Sequence, residues 1–212
     1  MKLNDKFLYP LFSVPLYHAN VSGYINDVID FDNLPLEEFS TATQYNSIVS
    51  INQNILTVDK FSNIRSIIES VMEEYVYDKL NISKNVKLKL ICSWMLIGSP
   101  GSKTYRHSHT NSLFSGIFYI KSEKESGDII FSADSSRMTF ASPTINPNVE
   151  NFNIYNSLNW KISPKTNDII IFPSHLLHEV TENKSNTNRC AIAFNYFLTG
   201  NISDKITQVL EI

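Results

Sequence analysis

From Val86 onward the chain is a series of short extended runs with no helical pattern between them, and this series limits the fold more than any other feature. Val86-Lys87-Leu88-Lys89-Leu90 alternates apolar and polar residues, the two-residue period of a strand with one buried face. The run continues through Ile91 to Gly98, and Ser99-Pro100-Gly101-Ser102 is a turn signal. Further strands are predicted at Leu113–Ile120, Asp128–Phe131, Phe152–Tyr155, Trp160–Ile162, Asp168–Phe172 and Arg189–Leu198, with a polar hairpin loop from Lys121 to Gly127. Residues 133–150 hold two prolines and many small polar side chains, which predicts a long loop with one strand at Met138–Phe140. Ile202–Ile212 would add a last strand. Such a series argues for a mainly β fold, an antiparallel sandwich or barrel.

The first third is different. Phe7 to Tyr17 is apolar and extended but contains Pro10 and Pro15. Proline lacks the donor N–H, so this segment suits a sheet edge or a strap against the core. His18 follows it alone and reads as structural. Residues 20–58 are mixed, with short helices expected at Ile25–Ile29 and from Leu34 to Phe39. The best helix runs from about Asp59 to Leu80, where Phe61, Ile64, Ile68, Val71 and Tyr75 form one apolar stripe. Asp59 or Ser62 would cap it, and the stripe should lie on the outer face of a sheet. One domain spanning 1–212 is expected: an N-terminal extension with the main helix (1–85), a β core (86–198) and a C-terminal tail (199–212).

Composition narrows the function classes. A net charge of −3 and the lack of a Lys/Arg stripe give no reason to expect nucleic acid. The opening residues lead into no long apolar segment, so neither a signal peptide nor a membrane span is expected. Cys92 and Cys190 fall inside apolar strand-like runs and read as small buried residues, not as a disulfide framework. A cytoplasmic, intracellular protein is the resulting expectation. A homodimer is allowed but not required.

Four of the five histidines lie in two short clusters: His107 and His109, then His175 and His178. On a strand, residues i and i+2 project from one face, so His107 and His109 can point at one spot. A distant histidine would close a three-ligand metal site with open positions. His178 lies just beyond the buried run Asp168–Phe172, on the expected rim of a cavity, and His175 is a spare candidate.

Arg189 begins the strand eleven residues after His178. With period two, Arg189, Ala191, Ala193 and Asn195 share one face. A guanidinium can bind a carboxylate through two parallel hydrogen bonds, and two alanines leave room for a ligand. Ser115, Ile117 and Tyr119 share a face of their own strand, and Tyr119 could give the same carboxylate a second hydrogen bond.

Taken together, His107-x-His109, Ser115-Gly116-x-Phe118-Tyr119-Ile120, Phe172-Pro173-Ser174 with His178-x-Val180, Arg189, and Phe194-Asn195 resemble a family of 2-oxoglutarate/Fe(II)-dependent oxygenases of phages and bacteria, related to the prolyl 4-hydroxylases. The likeness covers about residues 86–198, and Leu11 to Leu16 resembles the family's opening segment. It implies a double-stranded β-helix, or jelly roll. It implies Fe(II) held by His107, His109 and His178, 2-oxoglutarate as cosubstrate with its far carboxylate on Arg189 and Tyr119, Asn195 in the same cosubstrate site, and dioxygen as oxidant. The implied activity is that of a dioxygenase hydroxylating an unidentified small molecule or peptide, a prolyl-like side chain being the analogy from relatives.

The wider superfamily has His-x-Asp in the first motif, where this chain has His109. Three neutral imidazoles leave the site one unit more positive than two with a carboxylate. Imidazole also suits zinc, copper and nickel, so iron follows from the resemblance and not from ligand type. The competing reading is a cupin-like metal- or ligand-binding jelly roll without oxygenase activity. Such a module would have no need of Arg189.

Overall fold

The structure, a computed structural model, describes residues 7–25, 39–41 (backbone only), 47–133 and 147–202. The helices expected after Ile25 and from Leu34, and the strands expected at Met138–Phe140 and beyond Ile202, fall outside these residues. Phe39 itself opens a strand.

The described strands are β1 (Tyr17–Asn20), β2 (Phe39–Thr41), β3 (Ser47–Ser50), β4 (Lys87–Gly98), β5 (Thr104–His107), β6 (Phe114–Lys121), β7 (Ile129–Ser132), β8 (Asn159–Ile162), β9 (Asp168–Pro173), β10 (Leu177–Val180) and β11 (Arg189–Thr199). They form a seven-stranded sheet in the order β1-β9-β6-β11-β4-β3-β2 and a four-stranded sheet in the order β5-β10-β7-β8. All of these strand pairings are antiparallel. Two such sheets face to face, with a helix outside the larger one, are the expected jelly roll.

Alternation along the central strands feeds two cores. On β11, Ile192, Phe194, Tyr196 and Leu198 face the helix side, with Phe114, Phe118, Ile169 and Ile171 beside them. Ala191 faces the other way, into the space between the sheets, with Ile117, Tyr119, Ile129, Phe131, Ile170, Phe172 and Val180. Gly116 lies opposite Phe194 in the ladder, and a Cβ there would come within 2.3 Å of the Phe194 ring. The glycine is what lets that ring lie flat against β6.

The helical segment occupies the expected span but is wound three ways. A 3₁₀ turn (Asp59–Phe61) leads into α1 (Ser62–Glu73), and a wider π turn (Glu74–Lys79) follows. Ile64, Ile68, Val71 and Met72 are the buried stripe of α1, each worth about 1.5–3 kcal/mol when fully buried. The wide turn lets Tyr75 and Val76, adjacent in sequence, both be buried. Tyr75 stacks on Tyr17, meets Phe114 edge-on and donates to Pro15 O at 3.1 Å. The expected cap is corrected: Phe61 holds the N-cap position with no side-chain bond, and Ser62 already has helical φ and ψ. The preceding 3₁₀ turn carries the chain into the helix instead, its Phe61 N–H donating to Val58 O.

Two strand expectations also change. Only Tyr17–Asn20 of the N-terminal segment joins a sheet, at its edge, and Phe7 to Val14 lies exposed. His18 is structural there, its Nε2 lying 3.0 Å from the Asp168 carboxylate. Phe152–Tyr155 is a turn. Asn153 and Asn156 side chains take the Tyr155 and Asn153 backbone N–H groups at 2.8 and 2.7 Å, and these local bonds compete with any ladder.

β4 contains a register shift. Asn195 pairs with Cys92 but Tyr196 pairs with Leu90, so Ile91 is an extra residue. Below it Leu88 and Leu90 pack on the helix-side core. Above it Cys92, Trp94, Leu96 and Gly98 lie opposite Asn195, Ala193, Ala191 and Arg189, facing the space between the sheets.

Candidate active site

His107 on β5 and His178 on β10 are direct cross-strand partners. Their rings lie 4.3 Å apart between centroids, and His109 lies 5.1 Å from the first and 5.2 Å from the second. One ligand atom from each falls within 4.8 Å of the others. His175 is exposed in the turn before β10 and lies outside this group.

The route by which His109 arrives differs from the sequence expectation. β5 ends at His107, and His109 sits on the loop beyond it. Its backbone N–H donates to Ser174 O at 2.9 Å, and Ser174 N–H donates in turn to Leu113 O at 2.9 Å. The Ser174 hydroxyl also meets those of Ser112 and Ser115 at 2.9 and 2.8 Å. Ser174 therefore ties the histidine loop to the end of β9.

The rings are oriented from behind. His107 Nδ1 lies 2.8 Å from Tyr105 O, and His178 Nδ1 lies 3.0 Å from Leu176 O. A carbonyl only accepts, so these contacts select the tautomer with the proton on Nδ1, which keeps Nε2 for a ligand role. Burial holds His178 neutral, with a pKa lowered to about 3, its bond to Leu176 O pulling weakly the other way. Burial, with the neighbouring His107, lowers His109 to about 4. Neutral imidazoles are the form a metal takes. Phe172 packs edge-on to His178 at 4.7 Å and Phe131 lies at 6.0 Å, giving the group an apolar wall.

Arg189 begins β11 opposite Gly98, on the same inner face as Ala191, Ala193 and Asn195. It is 8% exposed, and no ion pair to it is present among the described residues. Burial lowers its pKa, the guanidinium remaining charged. Nη1 donates to Ser126 O. Two glycines shape its cradle: a Cβ on Gly98 would lie 3.0 Å from Nη2 and one on Gly127 would lie 2.6 Å from Nη1. Tyr119, opposite Ala191, is buried, and its hydroxyl has no hydrogen-bond partner. An unpaired buried cation beside an unpaired buried hydroxyl is a costly combination. It matches a carboxylate that would satisfy both.

Asn195 is buried farther along β11. Its Oδ1 accepts from Ser115 at 2.7 Å, and its Nδ2 lies 3.4 Å from Cys92 Sγ. Sequence reasoning gave no role in the site to Gly98, Gly127 or Ser174. The glycines carried a signal, since one ending an apolar strand and one closing a hairpin loop often mark a close backbone approach. Ser174 stood within the Phe172-Pro173-Ser174 motif, but nothing local marked its bond to the histidine loop.

No curated protein matches the chain in sequence. Solved structures share its fold. An oxidoreductase of the 2OG-Fe(II) oxygenase family from Burkholderia pseudomallei is 9% identical, with a TM-score of 0.52 over 78% of this chain and 73% of its own. HygX from Streptomyces hygroscopicus, solved with nickel, 2-oxoglutarate and hygromycin B, is 14% identical, with a TM-score of 0.58 over 87% and 83%. A prolyl hydroxylase from Trichoplax adhaerens, in complex with a hypoxia inducible factor peptide fragment, is 14% identical, with a TM-score of 0.50 over 76% and 70%. Residues 92–195, which run from the pocket side of β4 to Asn195 and include the three clustered histidines and Arg189, match the family model described as "Putative 2OG-Fe(II) oxygenase", and this segment belongs to the 2-oxoglutarate/Fe(II)-dependent oxygenases.

Proposed function

We propose that the protein is a 2-oxoglutarate/Fe(II)-dependent dioxygenase in which His107, His109 and His178 hold the metal and Arg189 with Tyr119 holds the far carboxylate of 2-oxoglutarate. The observation that carries this reading is the buried, unpaired Arg189 and Tyr119 hydroxyl on the inner face that the histidines also meet. When bound, the iron supplies the redox chemistry that couples decarboxylation of 2-oxoglutarate by dioxygen to oxidation of a substrate C–H bond.

The chain's own work is orientation and exclusion. Tyr105 O and Leu176 O fix two imidazoles in the tautomer that leaves Nε2 free. Ser174 holds the third in reach. Gly98, Gly127 and Ser126 O hold the guanidinium in place before the ligand arrives, so its two donors meet a carboxylate without reordering. Ile117, Ile170, Phe131 and Phe172 keep water from the space between. Asn195 has a supporting place in the cosubstrate site. Six residues of strand, about 20 Å, separate it from Arg189, so it acts near the His109 loop through Ser115 and Ser174 and not on the far carboxylate.

The substrate is a small molecule or a peptidyl side chain. A cytoplasmic location accords with the absence of a disulfide between Cys92 and Cys190. No helix among the described residues is long and apolar enough to cross a membrane. The deciding experiment is metal analysis of freshly purified protein combined with succinate formation from 2-oxoglutarate. Iron occupancy with succinate production is expected. A jelly-roll module that merely binds metal would give no succinate, and 2-oxoglutarate would not raise its Tm in a metal-dependent way.

A further inference from the structure

We propose that Trp160 is a substrate-contacting residue whose indole face receives an uncharged ring of the substrate beside the C–H bond to be oxidised. The inference rests on the function proposed above and adds a substrate class to it.

The argument starts from sheet register. In the four-stranded sheet His107 lies opposite His178, His178 opposite Phe131, and Phe131 opposite Trp160. Directly opposed residues in an antiparallel ladder project from the same face. Trp160 is therefore the fourth member of a row whose first two members are the metal-site histidines. It stands two strands from His178, about 10 Å between backbones. An indole reaches across much of that span.

The next inner row runs Val180, Ile129, Ile162. Val180 and Ile129 are buried there and Ile162 packs on the same core. Moving along β8 from Ile162 to Trp160 the inner face opens, since Trp160 is 46% exposed. Leu158, which continues the ladder by accepting the Ala133 N–H at 2.7 Å, is 43% exposed on the same side. The change from buried to open, at the level of His178, marks the mouth of the pocket on its β8 side. A large apolar side chain on an outer face would be an ordinary surface residue. Trp160 is instead on the face that closes over the site, at the place where that face has no further layer among the described residues.

Its ladder neighbours on this face are uncharged. Phe131 and Leu158 are its neighbours on this face, and Lys161, on the opposite face, pairs with Asp128 at 3.2 Å. An exposed indole gives a rigid flat surface at low entropic cost and favours the face of an uncharged ring, aromatic or prolyl. A linear aliphatic chain would gain less from it.

The test uses the iron-loaded full chain with three uncharged probes: N-acetyl-L-prolinamide, N-acetyl-L-phenylalaninamide and, as the linear control, N-acetyl-L-alaninamide. At least one ring amide is expected to stimulate succinate formation above the rate without any amide, and the alanine compound is not. Trp160→Ala should raise the KM for that ring amide at least tenfold, with 2-oxoglutarate affinity as in the parent. Trp160→Phe, which restores a flat face, should bring KM to within about threefold of the parent. A readout apart from turnover comes from Trp94→Phe, which leaves Trp160 as the sole tryptophan. Its fluorescence should change saturably with the same amide. Equal stimulation by ring and linear amides, stimulation by none, or an unchanged KM in Trp160→Ala would overturn the assignment while leaving the oxygenase reading intact. A parent protein that forms no succinate at all would overturn both.

Discussion

The two ends of the pocket are built on opposite sheets and by opposite means. The proposed metal end rests on the small sheet and on a loop, and its side chains are placed by hydrogen bonds: Tyr105 O and Leu176 O behind two rings, and Ser174 behind the third. The proposed carboxylate end rests on the large sheet, and its guanidinium is placed mostly by shape, through Gly98 and Gly127. On the proposed function, the first end presents imidazole nitrogens to a cation. The second presents a fixed cation and a hydroxyl toward an anion. A bond-built site can accept a different ligand atom if its anchors persist, whereas a shape-built site loses its function with the one group it encloses.

The strongest way to break the comparison is at the metal end. His107→Ala and His178→Ala are each expected to abolish metal binding, measured by elemental analysis of the purified variants, because two imidazoles cannot replace a three-ligand set. Full occupancy in both variants would mean the metal lies elsewhere.

His109 sharpens the contrast. His109→Asp should keep metal, since a carboxylate also ligates and the loop anchor to Ser174 is a backbone bond. The added negative charge should weaken attraction for dianionic 2-oxoglutarate. His109→Ala should lose most metal affinity. Metal content and 2-oxoglutarate titrations of the two variants side by side decide this, and an Ala variant that holds metal as the parent does would remove His109 from the ligand set.

At the other end, Arg189→Ala should weaken 2-oxoglutarate binding by roughly 1.5–3 kcal/mol, the range of hydrogen bonds to charged groups, with metal content unchanged. Unchanged affinity in a calorimetric titration would place the carboxylate on another residue. The smallest effect is expected from Tyr119→Phe, about 0.5–1.5 kcal/mol in 2-oxoglutarate affinity. Its Tm without cosubstrate should not fall, because the hydroxyl it removes has no partner to lose. A lower Tm would show that the hydroxyl is part of the fold's own bonding.

Much of the architecture was legible from residue order because burial on two faces leaves a period-two record. The inner set Arg189, Ala191, Ala193 and Asn195 is found on the face the alternation assigned to it. The long helical stripe was legible because burial on one helix face leaves a record of period 3.6. Its winding was not, because π and 3₁₀ turns preserve burial while changing the hydrogen-bond count. The turn at Phe152–Tyr155 was lost because apolar content outweighed the local bonding of Asn153 in the reading. The convergence of His107 and His109 was expected from strand period, yet His109 is brought there by a loop tied to Ser174, a contact across 65 positions that no local pattern encodes. The neighbours of Arg189 were similarly hidden, since a carbonyl at Ser126 has no side-chain signature.

The extra residue in β4 gives that strand two reading frames. The lower frame, with Leu88 and Leu90, belongs to the helix, and the upper frame, with Trp94 and Leu96, belongs to the pocket. Deleting Ile91 would set Leu90 and Cys92 side by side opposite Tyr196 and Asn195, an unbroken ladder in which both frames keep their faces. Straightening the bulge with Ile91 retained would instead slip one half of the strand by a residue. Either the two leucines would leave the helix or Trp94 and Leu96 would leave the pocket, at about 1.5–3 kcal/mol for each large apolar side chain brought into water. A chimera joined at Ile91 would keep both frames intact. One that paired the strand regularly with Ile91 still in it would turn half of the strand inside out.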